Sequence, residues 1–212
     1  MSDLLMRTRF PMGGYDLTYM ECPQDPEQAT PRSEAVAARL LKARTILLTG
    51  EVDQELAERV IAELLVLDTE SQDPIRMVIT SQGGHVDSGY AIHDVMRFVK
   101  SEVIAIGAGW VASIAVPIMF AAKRENRLAL PNTRFLLHQP SGGAGGALQD
   151  IRIEAQELLK IRERLNQLIS DETGQPLDKV RKDSDRNFWM SAQEALEYGL
   201  IARIVSSAED IG

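Results

Sequence analysis

Apolar positions in the first two thirds of the chain follow two periods in turn. "TILLTG" (45–50) is a short apolar run ended by Gly50, which predicts a strand. After it, Leu56, Val60 and Leu64, flanked by Ala57, Ile61 and Leu65, recur every four residues and predict one buried helix face, with Asp53 placed to cap it. The alternation then repeats. "IRMVIT" (75–80) runs into "SQGG" and a helical "DSGYAIHDVMRFV"; "EVIAIG" runs into "AGWVAS" and a helical "IAVPIMFAA". Strand, glycine turn and helix, three times over, predict an α/β fold with parallel strands. "EAVAARLL" precedes them as a short helix, and "NRLAL" and "TRFLLH" add two short strands.

The second half reads differently. After "GGAGG", residues Ala147–Asp171 carry Ile151, Ala155, Leu158, Leu165 and Leu168 at helical spacing, with charges on the other faces. A helix of about 24 residues is about 36 Å long, more than a compact core of this size needs to cover. It is expected to project and to pack on another subunit. "SAQEALEYG" predicts a short helix opened by a capping box, Ser191 to Glu194, and closed by Gly199. Residues 1–32 hold four of the nine prolines and no apolar periodicity, so they are set apart as an extension, a propeptide or an axial arm, ahead of one domain at 33–212.

Composition narrows the function classes. At 212 residues the chain can bury one sizeable core. A net charge of −8 argues against nucleic acid or an anionic membrane as partner. Cys22 is the single cysteine, and His85, His93 and His138 show no metal-ligand spacing, so neither a disulfide framework nor a metal site is expected. Val103–Ala122 is 20 residues without a charge, long enough to span a bilayer. Its two glycines, serine and proline fit a buried strand, a turn and a buried helix better. With no apolar stretch of signal-peptide type near the N-terminus, the expectation is a soluble cytoplasmic protein.

Three features carry chemistry. Ser113 sits where an apolar strand turns through Gly107 and Gly109 into an apolar helix, beside backbone N–H groups free to hold an oxyanion; most serines at such positions are simply caps. His138 ends the strand "TRFLLH", where it can meet a neighbouring strand's turn; His85 and His93 are weaker candidates. "SQGG" lets backbone approach a ligand, and no phosphate-loop or dinucleotide pattern is completed. A third triad member is sought in "SDRNFWM", which offers Asn187 with Asp183 and Asp185 before it.

The stretches "RLLKARTILLTGEV", "SQGGHVDSGYAIHDVM", "GWVASIA", "LPNTRFLLHQPSGG", "LQDIRIEAQELLKIRERLNQL", "TGQPL" and "MSAQEALEYGLI" resemble the proteolytic subunit of the ATP-dependent Clp protease, the ClpP family of peptidase S14, across residues 33 to 206. The resemblance implies a ClpP/crotonase-like fold of repeated β-β-α units with a projecting handle helix. It implies a serine endopeptidase acting on unfolded polypeptides, without metal or cofactor, inside two stacked seven-membered rings served by an AAA+ Clp ATPase. Ser113 then matches the nucleophile, His138 the general base, and Gly84 and Ile114 the donors of the oxyanion hole. Asn187 matches the triad-acid position, ahead of Asp183 and Asp185, and Arg186 an arginine at the contact between rings.

The departures from the family pattern are specific. An amide at 187 can orient a histidine but carries no charge. Ile114-Ala115 and Pro117 follow the nucleophile in place of the usual Met-Gly, and Pro117 is expected to bend that first helical turn. Gln82 replaces a proline. Arg76, Val78 and Leu128 replace aromatic residues of the unfoldase pocket, although Phe98 remains. The alternatives are therefore a catalytically weak structural subunit in mixed rings with an active paralogue and, more remotely, an acyl-CoA enzyme of crotonase type.

Overall fold

The computed structural model describes residues 31–143 and 145–211. The extension expected at 1–32 lies outside the described residues, Cys22 included, apart from Pro31 and Arg32. Those two open helix α1 (Pro31–Lys42). Strand β1 (Thr45–Val52), helix α2 (Gln54–Glu70), strand β2 (Ile75–Gly84), helix α3 (Val86–Phe98), strand β3 (Val103–Ala112) and helix α4 (Ala115–Met119) follow. Short strands β4 (Arg127–Ala129) and β5 (Arg134–Leu137) lead to the long helix α5 (Leu148–Thr173). Helix α6 (Leu177–Asp183), strand β6 (Phe188–Ser191), helix α7 (Ala192–Tyr198) and strand β7 (Arg203–Ile204) complete the order. Strands β1-β2-β3-β4-β7 form a parallel path; β5 joins β3 in parallel and β6 pairs antiparallel with β5.

The α/β pattern read from the sequence is present, and the period of two in "IRMVIT" is the reason the sheet has a core side. Ile75, Met77 and Ile79 point to the buried side with Ser81, while Arg76 faces out. Helices α2, α3 and α4 cover that side with Val60, Leu64, Ile92, Val116 and Ile118. The caps also follow the sequence. Asp53 accepts from Leu56 N–H at 2.8 Å. The capping box of Ser191 and Glu194 closes in both directions, and Gly199 ends α7 in the left-handed region at φ 93°.

The glycines expected to end strands lie inside them. Strand β1 passes Gly50 (φ 86°) to reach Val52, β2 takes in Gly83 and Gly84, and β3 runs through Gly107 and Gly109 to Ala112. Hydrogen bonds to the neighbouring strand outlast each local break. Glycines instead sit at the register shifts, Gly50 between Thr49 and Glu51 where β1 pairs β2, and Gly109 where Gly107–Val111 of β3 passes Ile79–Ser81 of β2. In β3 the bend has a use: residues before it pair with β4, and Trp110–Ala112 beyond it pair with β5.

Helix α5 is 26 residues long, and its buried residues, Leu165, Asn166, Ile169 and Thr173, all lie toward its C-terminal end. The first turns leave Leu148, Ile153 and Leu159 more than half exposed, so that end projects as expected from its length. No helix among the described residues is long and apolar enough to cross a membrane; Val103–Ala122 is β3 followed by α4.

A buried cation ties α4 to α5, where the sequence pattern places it only in a short strand. Arg127 is 2% exposed; its guanidinium donates to the carbonyls of Ala122 (2.9 Å) and Phe120 (3.0 Å) and pairs with the Glu172 carboxylate. Removing one partner of a buried pair strands the other charge. Glu172→Ala is therefore expected to cost about 3–5 kcal/mol, read as a shifted denaturation midpoint at fixed protein concentration. An apolar double replacement, Arg127→Met with Glu172→Leu, should cost less.

Candidate active site

Ser113 occupies the turn between β3 and α4 in the left-handed region, at φ 55°. A side chain rarely sits there, because Cβ crowds its own backbone. The turn is held from outside by Ser113 N–H donating to Leu136 O at 2.9 Å, which continues the β3–β5 ladder by one step. Pro117 acts as the sequence implied. With no N–H at 117, the Ser113 carbonyl accepts from Val116 N–H at 3.1 Å, a tighter turn than an α-helix makes, and α4 is only five residues long.

Glycines crowd this turn from two sides. A Cβ on Gly83 would lie 2.6 Å from Ser113 Cβ and 2.7 Å from Ala112 O, so only glycine lets β2 pass the turn that carries Ser113. Gly84, whose N–H the resemblance implies as an oxyanion donor, has its Cα against the backbone of Val52, where a Cβ would lie 2.4 Å from that carbonyl oxygen. Gly83 was the missed residue; the paired glycines of "SQGG" carried its signal. Ser81 pins this segment, donating to Gly50 O at 2.5 Å and accepting from Gly83 N–H at 3.0 Å. Ile114 is buried, its N–H finds no acceptor among the described residues, and its side chain rests on Gly89, where a Cβ would meet Cγ1 at 2.2 Å. Gly83→Ala should push the serine turn aside and lower peptide turnover about 10²-fold, the usual cost of a 1 Å misplacement, with the far-ultraviolet spectrum unchanged.

The β5–β6 ladder positions the remaining two candidates. It pairs Phe135 with Met190, Leu136 with Trp189 and Leu137 with Phe188, so the next step sets His138 opposite Asn187. The β3–β5 ladder pairs Ala112 with Leu136, so its next step brings Ser113 level with Leu137. His138 borders two cavities. A small one of about 20 Å³ is shared with Ser113, and an open one of about 520 Å³ is shared with Asn187 and Arg186. Among the described residues no hydrogen bond joins Ser113 to His138 or His138 to Asn187. Asn187 and Arg186 are exposed.

The two nearby carboxylates are committed elsewhere. Asp183 accepts from Lys179 Nζ at 2.6 Å and Tyr198 Oη at 2.9 Å; burial first, and that bond second, push the tyrosine hydroxyl's pKa up, so it stays a donor. Asp185 pairs with Arg162 on α5 at 3.1 Å, while its carbonyl accepts from Gln139 Nε2 at 2.9 Å. Neither weaker histidine belongs to the site. His85 caps α3 through Ser88, and His93 is buried against Asp94. Of the positions compared with an unfoldase pocket, the retained Phe98 and the divergent Arg76 are exposed, whereas Leu128 is buried with Ile106 and Val205, Val78 packing against them. No cluster of metal-ligating side chains occurs among the described residues.

A serine on a strained strand-to-helix turn, a histidine across a small apolar cavity, and a parallel sheet bending to bring them together define a hydrolase of the serine-nucleophile class. The chain belongs to the Clp protease family, whose model matches residues 27–208. It is 50% identical over 187 residues to the ATP-dependent Clp protease proteolytic subunit 3 of Rhizobium etli, covering 88% of this chain and 96% of that one. It is 48% identical over 174 residues to proteolytic subunit 2 of Treponema pallidum, covering 82% and 87%. An asparagine-to-aspartate mutant of ClpP1 from Listeria monocytogenes is similar in structure, with a TM-score of 0.78 and 45% identity over 84% of this chain and 99% of that one.

Proposed function

We propose that this chain is a serine endopeptidase subunit that hydrolyses peptide bonds of unfolded proteins inside a barrel of stacked rings. The observation that carries the reading is the register of three adjacent strands. It brings Ser113, His138 and Asn187 from three distant segments to neighbouring places around two cavities that meet at His138.

In this mechanism Ser113 Oγ attacks the scissile carbonyl while His138 takes its proton. The N–H groups of Ile114 and Gly84 hold the oxyanion, and His138 returns the proton to the leaving amine. Water then repeats the sequence on the acyl-enzyme. Asn187 presents its amide oxygen to the ring N–H and fixes the tautomer, without the charge that would stabilise the imidazolium. Assembly completes the site: the projecting end of α5 leaves apolar side chains for a second copy, and Arg186 stands exposed beside the loop that carries Asn187. A Clp-type ATPase feeds such a barrel in this reading.

A structural subunit in mixed rings is the second reading, favoured by the exposed Asn187 and the unjoined triad. A fluorophosphonate separates the two. The assembled protein should be labelled on Ser113 and on no other serine; an unlabelled, verified tetradecamer would favour the structural role. Asp185→Ala should leave turnover within about twofold, since its carboxylate serves Arg162. A near-complete loss would reassign the third triad position.

A further inference from the structure

The cavity against Ser113 is small and mostly apolar, and its size bears on which peptide bonds are cut. Beside Ser113 and His138 its walls are Val86, Pro117, Leu137, Pro140, Leu165 and Ile169, and its volume of about 20 Å³ is little more than one buried water requires. The walls have little freedom to retreat. Leu137 and Ile169 are 2% and 4% exposed, within the main core. Pro117 is fixed by its ring inside a five-residue helix, and Val86 is β-branched at the start of α3. No charged side chain lines the cavity apart from the titratable His138. The much larger cavity on the other side of His138 does not touch Ser113, so it offers no alternative place for a side chain on the attacked residue.

In acyl transfer to Ser113, the residue that supplies the attacked carbonyl must lay its side chain beside the nucleophile. We infer that this cavity receives that side chain, that it admits a methyl group and little more, and that the enzyme therefore cuts after small residues, alanine foremost. Pro117 sets the wall on the nucleophile's own helix, and Leu165 and Ile169 set it from α5. The inference rests on the serine-peptidase reading and adds a selectivity that sheet register alone does not give. A close-packed pocket resists enlargement, and each methylene gained or lost in such a pocket changes discrimination about 10- to 200-fold.

The test uses the assembled full-length protein. Labelling of Ser113 by diisopropyl fluorophosphonate, which carries no peptide side chain, first establishes that the nucleophile reacts. A fluorogenic peptide series differing only at the residue before the scissile bond is then compared by kcat/KM. Alanine is expected to exceed leucine at least about tenfold, and phenylalanine by more. Ile169→Val and Ile169→Ala should move the preference stepwise toward leucine, and the valine variant keeps the test open should the alanine variant fail to assemble. Labelled Ser113 with leucine or phenylalanine preferred in the parent protein overturns the selectivity and leaves the peptidase reading standing. Absent labelling overturns both.

Discussion

Ser113→Gly is expected to abolish peptide hydrolysis while leaving the chain at least as stable as the parent. The loss follows from removing the hydroxyl proposed as nucleophile, a change that in a serine protease costs about 10⁶ in kcat. The stability follows from the backbone. Ser113 sits at φ 55°, where a residue with a Cβ bears a strain on the order of 1–3 kcal/mol, and glycine bears none. Ser113→Ala separates the two effects, because it removes the hydroxyl and keeps the Cβ. Both variants should be inactive, with the glycine variant unfolding at the higher urea concentration. A glycine variant clearly less stable than the alanine variant would mean that the turn is not strained at this position.

Asn187→Asp is expected to raise kcat by tenfold or more, with a ceiling near the roughly 10⁴ that separates asparagine from aspartate at this place in a serine protease. The carboxylate would add charge opposite the imidazolium and favour the productive tautomer. A fall in kcat would show that Asn187 does not face the ring. Asp183 and Asp185 should leave this result intact, being held by Lys179 with Tyr198 and by Arg162 respectively.

Local chemistry was legible in particular residues. Asp53 caps α2, Ser191 and Glu194 form their box, and "IRMVIT" alternates because one side of β2 is buried; each depends on neighbours within a few positions. Glycine was read less well, for a physical reason. Gly50, Gly84 and Gly109 do hold positive φ, but whether such a residue ends a strand or bends it depends on the hydrogen bonds offered by the next strand, which lies about thirty residues away. Arg127 escaped notice because its acceptors lie in the turn after α4 and on α5. Strand β6 did as well: "FWMS" is only four residues long, and its pairing with β5 comes from more than fifty residues upstream.

By itself, the sequence determined the α/β pattern, the helix caps, the projecting long helix and the candidates Ser113 and His138, because each rests on local periodicity or on a motif, while the choice of Asn187 over Asp183 and Asp185 rested on the family resemblance. The tertiary structure decided how they meet. Register between β3, β5 and β6 carries no local signature, since it is set by which faces must be buried together, yet it brings the serine level with Leu137 and the histidine opposite the asparagine. The tertiary fold also decided that Gly83, rather than Gly84, is the glycine pressed against the nucleophile's turn, because close packing between strands exists only once the chain has folded.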